Sequence, residues 1–365
     1  MRLWGITGTN GKTTTAWVAA SFLDAAYVTT VEVWTGARRF HSGYTTPPLA
    51  TLREIYAQAG EAGMRDCVME VSSHAIHQNR VGFGEVSLFS GGAFTNISED
   101  HLDYHKTMEE YFRVKRSFAE RLAEGAAALG RKVPYVVCTD GEGGERMLEE
   151  CRRIAGLEVV AASRFTTRYD LSSLALAGDF NKSNVAVAAA LAEAAGAAPE
   201  RIQAAIPALK PRWGRLEPVD CPASRAKFYV DFAHTPDGLE KVLAAARAFT
   251  PGRLWAVFGA GGDRDRAKRP LMGAAVQRLA DRAVVTSDNP RSEDPLTIIA
   301  DIMSGCSDTA RFSVIPDRRM AIVFAARNAA EGDTVLVCGK GHETTQEIKG
   351  KKIHFDDREA IRSLV

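Results

Sequence analysis

The chain has 365 residues, of which 45% are hydrophobic and 25% are charged, and its 46 basic and 45 acidic residues leave a net charge of +1. This length is sufficient for two domains. A balanced charge excludes the strongly basic classes of protein, so we expect small-molecule substrates and neither nucleic acid nor a membrane as a partner. No apolar run approaches the roughly 18 residues that a membrane-spanning helix needs.

The cysteine pattern and the first residues indicate the compartment. Six cysteines are scattered along the sequence without C-x-x-C spacing, which is typical of buried thiols in a reducing compartment. The first residues lack the basic, apolar and small-residue regions of a secretory signal. We therefore predict a cytoplasmic protein, and we expect it to be a monomer.

The segment GITGTNGKTTT at residues 5–15 follows an apolar run and leads into a helix-like stretch. Glycines let the backbone wrap around phosphate, backbone N–H groups attract the anion, and Lys12 adds a positive charge. Thr13 is then placed to bind Mg²⁺. Ile6 replaces the first glycine of the general G-x-x-x-x-G-K-[ST] pattern, and a glycine-rich turn is the alternative interpretation. The segment predicts a site for a nucleoside triphosphate.

Apolar runs with strand character alternate with amphipathic segments along the first 210 residues. Such alternation predicts an α/β fold with a mainly parallel sheet covered by helices. The predicted strands lie at residues 28–33, 67–71, 86–94, 134–138 and 158–161, and the predicted helices at residues 16–23, 49–63, 108–123, 181–195 and 199–209.

The segment KPRWG at residues 210–214 interrupts this pattern, and we place a domain boundary there, between residues 1–210 and 211–365. The sequence thus predicts a central P-loop ATPase-type domain followed by a smaller, Rossmann-like α/β domain. Strands of the second domain are predicted at residues 228–231, 253–258, 282–286, 312–315 and 334–338.

Polar residues that could bind a metal ion follow two of the predicted strands. Glu70 ends an otherwise apolar strand, where a carboxylate is costly to bury unless it is paired or bound to a metal. A structural carboxylate in a salt bridge is the alternative. The loop at residues 95–105 carries further potential ligands, among them His101, although a single histidine there is more often structural. Lys115, taken alone, is typical of an exposed helical lysine.

Seven short segments, in this order, resemble the Mur ligase superfamily, and within it the branch that adds the third residue to the UDP-N-acetylmuramoyl peptide of peptidoglycan. The resemblance covers nearly the whole chain, and so many ordered blocks are highly specific. The segments are GTNGKTT at 8–14, MEVSSHA at 69–75, TN at 95–96 with DHLD at 100–103, DFAHTPD at 231–237, GGDRD at 261–265, DNPR at 288–291 and GKGHE at 339–343.

The resemblance implies a reaction in which ATP phosphorylates a substrate carboxylate and the amine of an amino acid attacks the acyl phosphate. It implies that ATP and Mg²⁺ are required, and that Lys12, Glu70, His101 and Lys115 are catalytic. The implied metal ligands are Thr13, Glu70, His101 and, if carbamylated, Lys115.

The resemblance also implies a nucleotide site built from both domains, whose closure would exclude water from the acyl phosphate. The implied ATP-binding residues are Gly8, Thr9, Asn10, Gly11, Lys12, Thr13, Thr14, Asn96, Asn184, Arg215, Asp231 and His234.

Members that add meso-diaminopimelate carry the segment DNPR, in which the arginine binds a carboxylate. The resemblance implies that arginines hold the carboxylates of the amino acid and that Glu343 pairs with its distal ammonium. The implied amino-acid site consists of Arg264, Asn289, Arg291, Gly339 and Glu343.

The family has an additional N-terminal domain that binds the uridine, whereas here the strand of the phosphate loop begins at residue 2. We therefore expect this domain to be absent and the acyl substrate to be a smaller carboxylic acid, amino acid or peptide without UDP. The usual UDP-muramoyl-dipeptide ligase is the alternative, and a regulatory P-loop ATPase or a catalytically inactive binding module are alternatives of other classes. The implied acyl-substrate residues are Thr45, Thr46, Ser72 and Arg80.

Overall fold

The computed structural model describes residues 1–81, 89–128, 130–141 and 143–364, without the side chains of residues 103 and 128. The chain divides into two compact units. The first comprises Met1–Ala175 and Asp179–Leu209, and the second comprises Leu176–Gly178 and Lys210–Val365. Over the described ranges, no helix has both the length and the apolar character needed to cross a bilayer.

The first unit contains one large sheet. Its strands among the described residues are β1 (Arg2–Thr7), β2 (Ala26–Val28), β3 (Val33–Trp34), β4 (Arg39–Phe40), β5 (Asp66–Glu70), β6 (Phe89–Phe94), β7 (Val133–Cys138) and β8 (Leu157–Ala162). Their order across the sheet is β4-β3-β2-β5-β1-β6-β7-β8. The strands β2, β5, β1, β6, β7 and β8 are neighbours in this order and pair in parallel. At the β2 edge, β3 and β4 add antiparallel pairs.

Helices cover this sheet. They are α1 (Lys12–Leu23), α2 (Leu49–Glu61), α3 (Ser73–His77), α4 (Leu102–His105), α5 (Met108–Ala128), α6 (Gly144–Arg152), α7 (Asp179–Ala194) and α8 (Pro199–Ala205), followed by a 3-10 turn at Ile206–Ala208. Side chains of α2, α5 and α6 share one apolar core with alternate residues of the strands, such as Cys67 and Met69 of β5. Val68 and Glu70 consequently point to the other face of the sheet.

Two predicted strands differ from the structure. The run at residues 28–33 is not one strand, because the chain reverses between β2 and β3. Thr29 Oγ1 accepts hydrogen bonds from the backbone N–H groups of Val31 (3.3 Å) and Glu32 (3.0 Å), and such local bonds compete with strand pairing. Of the predicted strand at 86–94, residues 86–88 lie outside the described residues, and the rest forms β6.

The second unit is also α/β. Its strands among the described residues are β9 (Glu217–Val219), β10 (Lys227–Asp231), β11 (Leu254–Phe258), β12 (Arg282–Val285), β13 (Phe312–Val314) and β14 (Thr334–Cys338), with a hairpin of β15 (Thr345–Ile348) and β16 (Lys351–His354). The main sheet has the order β13-β12-β11-β14-β10-β9, in which only β9 is antiparallel. Its helices are α9 (Pro236–Phe249), α10 (Lys268–Leu279), α11 (Pro295–Met303), α12 (Arg318–Asn328) and α13 (Asp357–Arg362). The predicted α/β class, with a large parallel sheet and a second sheet, is confirmed.

A fully buried ion pair fixes α12 to α13. Arg318 donates two hydrogen bonds of 2.7 Å to the carboxylate of Asp357, and neither side chain is exposed. The same guanidinium donates to the carbonyl oxygen of Cys338 at 2.8 Å. One cation therefore ties the two helices to the end of β14.

Replacement of this arginine should strongly destabilise the protein. Arg318→Met leaves the carboxylate of Asp357 buried without its partner, which costs about 3–5 kcal/mol. The measurement is the midpoint of urea unfolding. Arg319→Met, one residue further along α12 and exposed, is the control that should change it little. Equal midpoints for the two variants would contradict the role of the pair.

Candidate active site

The phosphate loop, residues 8–11, connects the end of β1 to the start of α1. Gly8 and Gly11 have φ angles of 149° and 82°, which residues other than glycine rarely adopt. A Cβ atom on Gly8 would lie 1.9 Å from Thr95 Oγ1. The loop therefore requires glycine, and it stands at a helix N-terminus, where unpaired backbone N–H groups bind anions.

Two asparagines pack against this loop. Asn96, after β6, accepts hydrogen bonds from the backbone N–H groups of Thr9 (2.9 Å, at its carbonyl oxygen) and Asn10 (3.0 Å, at Oδ1). Asn184, on α7, is so close that a Cβ atom on Gly11 would lie 2.2 Å from its Oδ1. We predicted both as ATP-binding residues, and the structure places both against the loop.

Two lysine side chains meet at the carbonyl oxygen of Gly8. Lys12 Nζ donates to it at 3.0 Å and to the carbonyl of Thr9 at 2.7 Å. Lys115 Nζ donates to the same Gly8 oxygen at 2.7 Å. The positive charge of Lys12 attracts an anion placed beside the loop. The loop thus fits a phosphate group.

Lys115 is buried, with 1% of the residue exposed, so the interpretation as an exposed helical lysine is wrong. Its Nζ lies 4.5 Å from the ring centroid of Tyr111. Burial, and secondly the charge of Lys12, hold the pKa of this amine well below its usual value. The spacing Tyr111, Lys115, Phe118, Leu122 follows the buried stripe of α5, and this helical periodicity was the signal that could have predicted its burial.

Thr13 and Glu70 lie together as predicted, at the start of α1 and the end of β5. Thr13 Oγ1 donates to Glu70 Oε1 at 2.8 Å. Glu70 also accepts from the backbone N–H of Thr30 (2.7 Å) and from its hydroxyl (3.1 Å), and that hydroxyl is 3.1 Å from Thr45 Oγ1. Sequence reasoning missed Thr30, which lies two residues after the end of β2. Thr14 is buried in the first turn of α1.

Glu70 is 1% exposed, and in the described part of the chain it has no ion-pair partner. The salt-bridged alternative is therefore wrong. A hydroxyl and a buried carboxylate are ligands that Mg²⁺ accepts, and this ion commonly binds through one or two carboxylates together with substrate phosphates. The pair therefore fits Mg²⁺, whereas no group of three or more histidine, cysteine, aspartate or glutamate residues in the described ranges could hold a metal alone.

His101 lies outside this pair. It makes no hydrogen bond to Thr13 or Glu70 among the described residues, and its ring stands 4.9 Å from that of His74. Desolvation lowers the pKa of His101 to about 4, against the opposing effect of Asp100. Its ring is therefore neutral at pH 7 and could offer a lone pair to a cation.

The predicted acyl-substrate residues are only partly brought together. Thr46 Oγ1 accepts from the backbone N–H of Ser72 at 3.0 Å, and the two hydroxyls are 3.4 Å apart. Ser72 also caps α3. Arg80 instead donates two hydrogen bonds to Gln78 Oε1, and in the described residues none joins it to the other members.

The second unit holds three residues that we predicted to bind ATP, and they surround Phe232. The guanidinium of Arg215 lies 4.6 Å from the Phe232 ring, and the His234 ring lies at the same distance. Asp231, at the end of β10, accepts from the backbone N–H of Leu216 at 2.7 Å. Burial raises the pKa of this carboxyl.

All five predicted amino-acid-site residues lie in the second unit, on segments that follow β11, β12 and β14. These strands are neighbours in the order β12-β11-β14. Because parallel strands end at the same edge of a sheet, the three segments meet there. They are residues 261–265, 288–291 and 339–343.

Two arginines of this site flank Gly261. A Cβ atom on Gly261 would lie 2.9 Å from Arg291 Nη1 and 3.7 Å from Arg264 Cγ. Arg291 donates to the carbonyl of Gly262 at 2.6 Å, and its Nε lies 3.7 Å from Glu347 Oε2. The side chains of both arginines thus lie beside the same glycine.

The other three members form a second cluster. Asn289 Nδ2 donates to Glu343 Oε2 at 2.8 Å. Gly339 has a φ of 113°, and a Cβ atom there would lie 2.3 Å from Asp288 Oδ2. Lys340 Nζ donates to Glu343 Oε2 at 2.9 Å. Sequence reasoning quoted Lys340 within a motif but gave it no role.

Comparison with known proteins identifies the family. A model of the Mur ligase middle domain matches residues 6–192, and a model of the Mur ligase glutamate ligase domain matches residues 214–341. The UDP-N-acetylmuramoyl-L-alanyl-D-glutamate–2,6-diaminopimelate ligase of Thermosynechococcus vestitus is 41% identical, over all of this chain and 77% of the relative. Its counterpart in Aquifex aeolicus is 38% identical, over 99% of this chain and 77% of the relative.

Solved structures of two proteins are similar to this chain. A structure of a UDP-N-acetylmuramoyl-L-alanyl-D-glutamate–2,6-diaminopimelate ligase covers all of this chain and 78% of that protein, with a TM-score of 0.61 and 32% identity. Folylpolyglutamate synthase of Mycobacterium tuberculosis, solved with ADP and AMPPCP, has a TM-score of 0.64 and 20% identity, over 93% of this chain and 88% of that one. The second likeness concerns the fold alone.

These comparisons correct two expectations. They do not support the absence of a uridine-binding domain, since the point at which the sequence begins does not carry that conclusion. The preference for a small acyl substrate rested on that absence and is withdrawn. A regulatory ATPase and an inactive binding module are likewise not favoured. With both domain models matched and relatives aligned over the whole chain, the chain belongs to the Mur ligase family and is an ATP-dependent ligase that joins an acid to an amino acid.

Proposed function

We propose that the protein is a UDP-N-acetylmuramoyl-L-alanyl-D-glutamate:2,6-diaminopimelate ligase, which was our alternative interpretation of the sequence. The observation that carries the proposal is the set of charges at the edge of the second sheet. Arg264 and Arg291 flank Gly261, and Glu343 lies on the segment after the neighbouring strand β14. Two cations and a carboxylate complement an amino acid that carries more than one carboxylate and a second ammonium.

The first step brings two anions together, the acyl carboxylate and the triphosphate. ATP supplies the phosphoryl group that turns the carboxylate into an acyl phosphate, and Mg²⁺ neutralises charge on the phosphates. In our proposal Lys12 holds the phosphates from within the loop, while Thr13 and Glu70 bind the metal ion. Preorganised positive charge of this kind lowers the barrier because it need not reorganise during the reaction.

We further propose that Lys115 is carbamylated. Its burial favours an uncharged amine, and a neutral amine can add to CO₂ with loss of one proton to give a carbamate. The product is an anion beside the ammonium of Lys12, so the two groups at the carbonyl of Gly8 would attract each other. A carbamate would also offer oxygen ligands to a second Mg²⁺, for which His101 is the other proposed ligand.

In the second step the amine of the amino acid attacks the acyl phosphate, so that an amide and inorganic phosphate form and one proton is released. Arg264 and Arg291 orient the amino acid through its carboxylates, and Glu343 receives the distal ammonium. Arg215, Asp231 and His234 belong to the nucleotide site in this proposal. Closure of the two domains over the nucleotide stays a prediction.

Product analysis tests the acyl and amino-acid substrates together. The protein is incubated with ATP, Mg²⁺ and meso-diaminopimelate, with either UDP-N-acetylmuramoyl-L-alanyl-D-glutamate or a pool of small carboxylic acids and peptides. We expect ADP, and by mass spectrometry an adduct of the UDP substrate and diaminopimelate. Lys12→Ala is the control that should form neither. Adducts with small acids alone would overturn the proposal and restore a different acyl substrate.

The phosphate loop provides a second test, with a matched pair of glycines. Gly11→Ala places a Cβ atom 2.2 Å from Asn184 Oδ1, whereas Gly63, with a similar φ of 78°, has nothing within 4 Å. Displacement of the loop by about 1 Å should lower kcat/KM for ATP by roughly 100-fold. Gly63→Ala carries the same backbone strain and should leave this constant near the wild-type value. Similar losses of kcat/KM in both variants would show that backbone strain alone causes the effect.

The amino-acid site provides a third test. Arg291→Ala deletes a charged hydrogen-bonding group worth roughly 1.5–3 kcal/mol, so the KM for diaminopimelate should rise about 10- to 100-fold. The KM for ATP should change little. Arg266→Ala is the control, because Arg266 is exposed and pairs with Asp301. An equal rise in both KM values for Arg291→Ala would contradict its assignment to the amino acid.

A further inference from the structure

Lys340 has a fully buried side chain at the edge of the second sheet. Its Nζ donates to the carbonyl of Thr345 at 2.6 Å, to Glu343 Oε2 at 2.9 Å and to Asn289 Oδ1 at 3.3 Å. An ammonium has three hydrogens, and three acceptors surround this one. Lys340 lies on the segment after β14, and its bond to Asn289 joins this segment to the one after β12.

In the described residues, hydrogen bonds reach only one of the two carboxylate oxygens of Glu343. Its Oε2 accepts from both Lys340 and Asn289, and in the described residues no hydrogen bond goes to its Oε1. One third of the side chain is exposed. Two donors on a single oxygen fix the plane of the carboxylate, so Oε1 is presented in one direction.

The backbone of this cluster is fixed as well. Asn289 Oδ1 also accepts from the backbone N–H of Glu347 at 2.9 Å, and Gln346 Nε2 donates to the carbonyl of Asp288 at 2.7 Å. The hairpin β15–β16 is therefore joined to the segment that carries Arg291. These bonds hold the hairpin in place relative to residues 288–291.

We propose that Lys340 is a positioning residue that selects amino acids with a distal ammonium, by holding Glu343 ready to accept it. This inference rests on the proposed function. A buried cation is tolerated only when it is paired, and Lys340 is paired with the one carboxylate of the predicted amino-acid site. A purely structural lysine would stabilise the hairpin without distinguishing between amino acids.

Two amino acids that differ only in the distal ammonium test the inference. They are meso-diaminopimelate and 2-aminopimelate, which has the same chain and both carboxylates. In Lys340→Met the carboxylate of Glu343 loses its fixed orientation, so the KM for diaminopimelate should rise about 10- to 100-fold. The KM for 2-aminopimelate and the KM for ATP should stay within about twofold of the wild type, so that the preference for diaminopimelate collapses.

The control is Lys352→Met, which removes an exposed lysine from β16 of the same hairpin and should leave the preference unchanged. Glu343→Gln should lose the preference to a similar extent. The double variant Lys340→Met/Glu343→Gln should resemble Glu343→Gln, since the two residues act as one unit. This double variant also leaves no unpaired buried charge, so it reports on selectivity if Lys340→Met alone does not fold.

Four results would overturn the inference. Equal rises in KM for both amino acids would make Lys340 structural, and a wild-type preference in Lys340→Met would remove its role while the proposed function stands. A wild-type protein that ligates neither amino acid to the UDP substrate would refute the proposed function and this inference together. Additive losses in the double variant would show that Lys340 does not act through Glu343.

Discussion

Both candidate sites depend on one constraint of parallel sheets. Each crossover returns the chain to the same side, so neighbouring parallel strands end at the same edge of the sheet. In the first unit, neighbouring strands bring Thr30, Glu70, the phosphate loop and Asn96 to one edge. In the second unit, three neighbouring strands end at the segments 261–265, 288–291 and 339–343. Residues far apart in sequence therefore meet without any specific long loop.

The two sheet edges differ in the charged groups that they carry. At the phosphate loop, the ammonium of Lys12 and the buried amine of Lys115 converge on the carbonyl of Gly8, so the charge of Lys12 stands where an anion is to bind. At the second edge Arg291 has Glu347 and Lys340 has Glu343 as an acidic neighbour. The first edge carries a cation within the phosphate loop, whereas the second carries a carboxylate, Glu343, whose Oε2 is held by Lys340.

The sequence predicted the fold class and most strands, because apolar runs and turn residues report local structure directly. It also predicted Thr13 beside Glu70, since both lie at ends of elements that share one sheet edge. It did not predict the turn between β2 and β3, where the hydroxyl of Thr29 pairs with the backbone. The role of Lys340 was not predicted either, because tertiary packing brings its partner Asn289 to it from 51 residues away.

Stability alone does not account for the burial of Lys115 and Lys340. Replacing a buried ion pair by apolar side chains of similar size is often neutral or stabilising, and Lys115 lies on the buried stripe of α5, where a leucine or methionine would suit the core. An amine in such a place brings a desolvation cost, and at Lys115 burial holds the pKa well below its usual value. In our proposals this cost is offset when a ligand binds, near a carbamylated Lys115 at the phosphate loop or near the Lys340–Glu343 pair at the amino-acid site. The cost of burying these lysines is therefore best understood as a cost of binding.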